Sequence, residues 1–585
     1  MLRLVLLVFA LFGAISASAA ESWVKVASPH FTVFTTAKPE AARAWAMELE
    51  RFRVVLAQTV SVPQTQLRPV TVVLLPNEKV LQPFLPLKDG VPQKIAGFFV
   101  HFGDSHAIGL ALDGKPAEIR RTVFHEVVHW YSNAGGGDIP LWLEEGVAEV
   151  YSTFSATPDG QCTFGELIPE HVRLLTKQRE WSFERLVKTD RDSVDYNERN
   201  RTSLLYAGSW LAAHYLLFGE NTGGRDAIVR YLEALRRPGS AATAFEQGFG
   251  TNFTTFQMRL AQYLKNGKYR TATSRHAVGE IERRLVSKPA TTAEVRVALA
   301  TVLIGSRPTQ AGPARPWLEE AARLDPANPV PWQVLGEWAL LDKNHAEAGR
   351  YFLQALQRGS TSYLVHDSVA RHYTGTMGDP PDVDAVSEAL KGFRRAIELN
   401  PVYVPAYEGL AGLMYAGATI DPADRTRLEA GARLAPDSAA IDVGIAALEL
   451  RGGQREAGRR RLGFVLQGSP PPSPETRKLA EGILEIDASQ AAMDKLRDLF
   501  GRQAYAEVVA YIDSIKSQFG DPTFRATLEQ NRLEAANFKL IGEALELGNR
   551  GKRVEAVRLL RRVESSGGST NAVAEAARLI KAFGQ

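Results

Sequence analysis

The 585-residue chain contains a single cysteine, Cys162. One cysteine cannot form a disulfide within the chain, so the fold must be held by packing and by any bound metal. After the first twenty residues no apolar run is long enough to cross a bilayer, so no transmembrane span is expected in the mature protein. Basic residues outnumber acidic ones by only 69 to 66, and no long basic run occurs. The sequence therefore gives no support to nucleic-acid binding.

The N-terminal segment carries one strongly apolar run, residues 4–15, which follows Arg3. Ala17-Ser18-Ala19 then supplies the small residues that precede a signal-peptidase cut. Residues 1–20 are therefore predicted to be a signal peptide, and the protein is expected to be exported, either to the periplasm or outside the cell. An uncleaved N-terminal anchor is the alternative.

Two short segments carry the chemistry of the chain: His125-Glu-Val-Val-His129 and, fifteen residues later, the pair Glu144-Glu145. The pattern predicts a helix over 117–133, which begins after Pro116 and ends at a run of glycines. Residues four apart share a helix face, so both imidazoles can reach one Zn²⁺ ion. Glu126 lies beside them, where it can accept a proton from the water that the metal activates.

Catalytic zinc usually has three protein ligands and one open position, so a second helix must supply the third ligand. A helix from Leu141 to about Phe154 carries two candidates, Glu145 and Glu144. Helical phase favours Glu145, because it shares a face with Glu149 while Glu144 points about 100° away. Glu149 either hydrogen-bonds the outer nitrogen of a ligating histidine or is a solvated carboxylate.

These residues resemble the gluzincin metallopeptidases, and more closely the peptidase MA-like proteins that join such a domain to tetratricopeptide repeats. Three further segments share the resemblance, at residues 23–34, 96–100 and 205–210. It implies an α+β zincin-like fold in which His125, His129 and Glu145 bind Zn²⁺ and Glu126 is the general base.

The resemblance also implies a side chain that stabilises the oxyanion, and Tyr206 is the candidate. The alternative is that Tyr206 is only an aromatic residue in the core of its helix. His214, on the same predicted helix, is either near the site or a core histidine. The amine-binding segment Gly-x-Met-Glu-Asn of the aminopeptidases is missing from residues 96–111, which favours an endopeptidase. A strand around Phe98–Phe102 is expected there, either as an edge that binds extended peptide or as a buried strand.

Beyond about residue 285 the composition becomes rich in Ala, Leu and Arg, with the periodicity of paired helices. Similar tetrapeptides end at Pro326, Pro401 and Pro436, and the last two prolines lie 35 residues apart. This spacing is close to the tetratricopeptide period. The residues therefore predict an all-α solenoid of tetratricopeptide type, whose concave groove could bind a protein partner.

The predicted organisation has five parts. They are a signal peptide (1–20), a zincin-like metallopeptidase domain (21–280), tetratricopeptide-like repeats (285–468), a Pro-rich linker and connecting segment (469–486) and a C-terminal helical region (487–585) that continues or caps the repeats.

The predicted function is an exported zinc metallopeptidase that hydrolyses a protein or peptide substrate. Two alternatives stay open. One is a zincin domain with little or no turnover that forms part of an interaction scaffold; the other is an enzyme that acts on cell-wall peptide. An intact Glu126 favours turnover, because a purely structural zinc site needs no base.

Overall fold

The computed structural model describes residues 22–583, except 60–66, 89, 94, 96, 135–138, 179–180, 191–203, 236–238, 277, 377, 379–381, 415–420, 469–470 and 568–569. The predicted signal peptide and most of the polar segment 190–202 lie outside the described residues. Internal contacts divide the chain into two compact units, residues 1–406 and 407–585.

The first unit begins with alternating strands and helices. They are β1 (Val24–Ala27), β2 (Phe31–Thr35), α1 (Pro39–Thr59), β3 (Val70–Leu75), α2 (Glu78–Leu81), β4 (Leu87–Lys88), β5 (Val91–Pro92), β6 (Gly97–Phe102), β7 (Ser105–Ala111), α3 (Pro116–Asn133) and α4 (Leu141–Ser152).

Small strands and mostly helices follow. They are β8 (Ser155–Ala156), β9 (Gln161–Phe164), α5 (Pro169–Lys177), α6 (Phe183–Lys188), α7 (Leu204–Phe218), α8 (Gly224–Leu235), α9 (Ala241–Phe249), α10 (Phe253–Asn266), β10 (Ala272–Arg275), α11 (Val278–Arg284) and β11 (Val286–Pro289).

Six strands form the main sheet, in the order β11-β1-β2-β3-β7-β6. The three central strands β2, β3 and β7 are parallel, and β6 returns antiparallel to β7 at one edge. The alternation of residues 24–35 predicts one strand, but the structure has a hairpin of β1 and β2, because the chain turns at 28–30. β11 pairs with β1 at the other edge, so the sheet takes in residues just beyond the predicted start of the repeats.

Alternating apolar residues give the sheet two buried faces. Val33, Val72 and Ile108 pack in one core with α1 and α3. Phe34 and Val73 point to the opposite face, where they pack in a second core with the helices that follow β11. The residue pattern between 141 and 264 predicts mostly helix, and the β8–β9–β10 sheet, whose first two strands lie in that range, was missed by the sequence analysis. Its strands are only two to four residues long, too short to show a period.

Helical hairpins complete the first unit. Three pairs pack against one another: α12 (Thr292–Ser306) with α13 (Ala314–Leu324), α14 (Val330–Leu341) with α15 (His345–Gln357), and α16 (Tyr363–Thr376) with α17 (Val383–Leu399). The first pair closes the second core of the sheet, and Gly305 allows this approach because a Cβ there would lie 2.7 Å from Val100 Cβ. The sheet and the first repeats therefore share a core.

The second unit begins within α18 (Val404–Leu413) and is helical throughout its described residues. It continues with α19 (Ala423–Leu434), α20 (Ala439–Arg451), α21 (Arg455–Leu466), α22 (Pro474–Gly501), α23 (Tyr505–Ile515), α24 (Pro522–Asn549), α25 (Arg553–Glu564) and α26 (Thr570–Phe583). The pattern of residues 532–561 predicts one helical stretch, but it is broken between α24 and α25, where Gly551 adopts φ +77°. In the described chain, no helix has the length and hydropathy that a membrane span needs.

Candidate metal centre

Helix α3 carries the two motif histidines. It begins at Pro116, whose fixed φ suits the first turn. Phe124 anchors the helix on α1, with its ring 4.5 Å from that of Phe52. His125 is buried and His129 half-buried, and their rings lie 4.9 Å apart. Packing of α3 therefore holds both imidazoles on one face, as their spacing predicts.

Helix α4 brings the carboxylates to these histidines. It is buried along almost its whole length and packs closely against α7. Gly146 makes this approach possible, because a Cβ at that position would overlap the Ser209 carbonyl oxygen and lie 2.8 Å from Ala213 Cβ. Gly146, the residue after Glu145, thus determines how closely α4 packs against α7.

Three side-chain atoms converge between the two helices. His125 Nε2 lies 3.2 Å from His129 Nε2 and 3.2 Å from Glu145 Oε2, and His129 Nε2 lies 3.5 Å from the same oxygen. Among the described residues, His125, His129 and Glu145 form a group that could hold a metal ion, with one donor atom of each within 4.8 Å of the others. Glu144, the competing candidate, is directed elsewhere.

Both histidines also have a carboxylate on the outer side of the ring. Glu149 Oε1 lies 3.1 Å from His125 Nδ1, and Glu144 Oε1 lies 2.9 Å from His129 Nδ1. When each Nδ1 carries the proton that faces its carboxylate, each Nε2 presents a lone pair to the centre of the cluster. Glu145 Oε2 adds a third electron-rich atom, so the cluster needs positive charge between the three.

The pKa shifts show the same demand for positive charge. Burial alone would lower the pKa of His129, yet contacts with Glu144 and Glu145 and the charge of Glu126 raise it to about 10. Burial would raise the pKa of Glu145 and Glu149, but their histidine partners hold both pKa values below the ordinary carboxyl range. Because two nitrogens and one oxygen match the ligand preferences of Zn²⁺, the residues fit this metal.

Glu126 and Tyr206, the other two predicted site residues, lie at the same cluster. Glu126 is half-buried on α3, close enough for its charge to act on His129. Tyr206 is buried near the start of α7, with its ring centroid 6.1 Å from that of His125. The structure thus brings together the six predicted residues His125, Glu126, His129, Glu145, Glu149 and Tyr206.

Two further residues extend the cluster and were missed by the sequence analysis. His171 Nε2 lies 3.0 Å from Glu149 Oε2, and Arg121 Nη2 donates to the same oxygen at 3.3 Å. Arg121 precedes His125 by one helical turn, a spacing that places both on one face and could have indicated its role. His171 lies on α5, and no local pattern links it to α3 or α4.

His214 and Cys162 both belong to the buried core of the first unit. His214 is buried, with Nδ1 2.8 Å from Tyr263 Oη and Nε2 2.9 Å from the Gly165 carbonyl. Cys162 is buried in β9, and burial raises the pKa of its thiol, which disfavours a nucleophile.

Strand β6 is the edge of the main sheet on the side of α3, with which it is in contact. Phe98, Val100 and Phe102 are buried on one face, while His101 is exposed. The outer edge of β6 has no neighbouring strand among the described residues. The expected strand around Phe98 is therefore both an edge strand and largely buried.

No protein-family model matches the chain, and no curated protein matches its sequence. Several solved structures are similar to it. A tetratricopeptide repeat protein from Parabacteroides merdae is 15% identical, with 51% of this chain and 100% of that one covered and a TM-score of 0.22. The P58(IPK) TPR domain is 11% identical (50% and 98% covered, TM-score 0.17), and human IFIT1 is 14% identical (70% and 93% covered, TM-score 0.21).

The described helices that follow the main sheet pack in consecutive pairs, as the periodicity beyond residue 285 predicts.

Proposed function

We propose that the chain is a zinc-dependent peptidase in which a helical-repeat scaffold is joined to the catalytic unit. The supporting observation is the convergence of His125 Nε2, His129 Nε2 and Glu145 Oε2, with a carboxylate behind each imidazole. In this proposal these three side chains hold the metal. Zinc would supply a Lewis acid that polarises a peptide carbonyl and acidifies a water molecule.

Glu126 has the chemistry of the general base. Its carboxylate lies on α3 between the two ligand histidines in sequence, and its charge acts on His129. It would accept the proton of the attacking water and pass it to the leaving amine. Tyr206, beside His125, would donate its hydroxyl to the oxyanion.

The edge strand β6 suits a substrate bound in extended form, because its outer edge can add a peptide strand by main-chain hydrogen bonds. Together with the missing amine-binding segment, this favours cleavage within chains over removal of terminal residues. The predicted signal peptide makes the periplasm or the exterior the proposed place of action.

The test compares wild type, Glu126→Gln and the control Glu118→Gln, which changes an exposed carboxylate on the same helix. Zinc content is measured together with cleavage of an unfolded protein, reduced and alkylated lactalbumin, by mass spectrometry. We expect about one zinc per chain in all three proteins and internal cleavage about 10²- to 10⁴-fold slower in Glu126→Gln. Zinc-free wild-type protein, or equal cleavage by Glu126→Gln, would contradict the proposal.

A second candidate is an interaction scaffold that retains zinc without turnover, which the tandem helical hairpins and their similarity to tetratricopeptide repeats favour. It predicts that zinc-loaded wild type and Glu126→Gln bind the unfolded lactalbumin equally well and leave it intact. Cleavage by wild type alone would exclude this candidate.

A further inference from the structure

A pocket of about 410 Å³ opens beside α3, away from the metal centre. Its walls come from α1, the start of α3, the segment at β8 and the region of α11. Arg120 is its residue on α3, and it lies five positions before His125, which places the two about 140° apart round the helix. None of the lining residues belongs to the histidine and glutamate cluster.

Arg51 is the most unusual residue of the pocket wall, because it is buried without a counterion. Only 9% of the surface of Arg51 is exposed to solvent. Nη1 donates to the Thr157 carbonyl at 3.2 Å, while the buried Nε has no hydrogen-bond partner. No acidic side chain pairs with Arg51 in the described part of the chain. A buried charge of this kind is costly unless an anion compensates it.

The remaining charges leave the pocket with an excess of one positive charge. Arg120 is neutralised by Glu48, to which its Nε donates at 2.8 Å, and it also lies over the Trp45 ring. Arg43 has no ion pair within the described residues and lines the pocket beside Arg51. Glu282, an exposed carboxylate at the rim, offsets one of these two arginines.

The rest of the wall is apolar, formed by Ala44, Met47, Ala156, Pro158 and Leu285. We propose that the pocket binds a small monocarboxylate with an apolar body. Its carboxylate would accept hydrogen bonds from the guanidinium groups of Arg51 and Arg43. A planar guanidinium can donate two parallel N–H bonds to the two oxygens of a carboxylate. Its hydrocarbon part would lie against Met47 and Leu285.

The charge and the lining together favour this ligand over inorganic phosphate. One excess positive charge balances a monoanion, whereas the second charge of a phosphate dianion would stay unbalanced and would be repelled by Glu282. A short hydrocarbon chain would remove the apolar wall from water, which favours binding. Phosphate has no apolar part that could do so. The pocket is separate from the proposed zinc site, so the inference does not depend on peptidase activity.

The test uses the full chain, zinc-loaded and zinc-stripped, and titrates hexanoate in a calorimeter, with hexanamide and inorganic phosphate as comparison ligands. Three variants are compared with wild type: Arg51→Gln, Ala44→Trp, which fills the pocket from an exposed helix position while keeping Arg51, and Arg259→Gln, a control that removes an exposed arginine on α10.

We expect saturable binding of one hexanoate, weakened about 10- to 100-fold in Arg51→Gln, abolished in Ala44→Trp and unchanged in Arg259→Gln. Zinc removal should leave this affinity unaltered. Equal binding of hexanamide, binding of phosphate in preference to hexanoate, no binding by folded wild type, or full hexanoate affinity in Arg51→Gln would overturn the proposal.

Discussion

Two buried polar clusters in the first unit shift the pKa values of their carboxyl groups in opposite directions. At the candidate metal centre, the carboxylates Glu145 and Glu149 each face histidines, and their pKa values lie below the ordinary range. Where the β6–β7 turn meets α14, Asp104 and Glu337 instead face each other. Burial and the charge of Asp104 raise the pKa of Glu337 to about 8, although Gln333 donates to it at 2.9 Å.

The difference shows that one cluster favours a bound proton and the other favours a bound cation. Asp104 has one nearby cation, Arg68, whose Nε lies 3.3 Å from Oδ1, and burial still raises the pKa of Asp104. This junction therefore keeps a proton on an acid, and the protonated acid joins the sheet to a repeat helix. The candidate metal centre keeps its acids ionised and gathers electron-rich atoms round a point, which suits a metal cation.

The largest expected effect is the loss of metal from His125→Ala. Removing one of three ligands should reduce the zinc content from about one per chain to near none, because two donors hold zinc too weakly to survive dialysis. Atomic absorption after dialysis measures this. His345→Ala, on the exposed start of α15, is the control and should keep its zinc; equal zinc in both variants would mean that the metal binds elsewhere.

The second largest effect is expected from Gly146→Ala. The added methyl group overlaps the Ser209 carbonyl and pushes α4 away from α7, which should destabilise the protein by about 2–3 kcal/mol and weaken zinc binding although Glu145 is intact. Thermal unfolding and zinc titration test both. Gly542→Ala on α24 has open space round its Cβ and should instead stabilise by up to about 1 kcal/mol.

A smaller effect is expected when the support of a ligand is removed. Glu149→Gln weakens the hold on the His125 ring and should reduce zinc affinity about 10- to 100-fold. A competition titration with a chelator measures the change. Glu170→Gln alters an exposed carboxylate 3.9 Å from Arg121 and should leave the affinity within about twofold. Unchanged affinity in Glu149→Gln would show that the outer carboxylate does not support the site.

The smallest effect concerns the proton at the repeat junction. A folded carboxyl with a pKa of about 8 keeps a proton that the unfolded chain releases near 4.5. Because the folded state binds more protons between these values, Glu337 makes stability fall as pH rises from about 4.5 to 8. Glu337→Gln should flatten this fall, by on the order of 2 kcal/mol between pH 6 and 9.

Urea unfolding midpoints at the two pH values measure the slope. Glu319→Gln, an exposed carboxylate on α13, is the matched control and should keep the wild-type slope. A slope in Glu337→Gln as steep as that of wild type would contradict the assignment of the buried proton to this junction.

Much of the local structure follows from residue patterns. The apolar runs at 70–75 and 204–218 predict a short strand and a helix, and the structure has both with these bounds. Helix α3 begins one residue before its predicted start. The short strands β8, β9, β10 and β11 were not predicted, because strands of two to four residues show no period. In addition, β10 and β11 pair with strands distant in sequence. The same holds for His171, which reaches Glu149 only through the packing of α5.

Sequence by itself determined the face that His125 and His129 share, since four residues make about one helical turn. It also indicated Glu145 over Glu144, because helical phase is a local property. Only tertiary structure decided that β11 and the first hairpins close the same sheet, that Gly146 sets the depth of α4, and that Arg51 is buried without a counterion. Such features depend on which elements meet, and contacts between distant segments are not encoded in any local period.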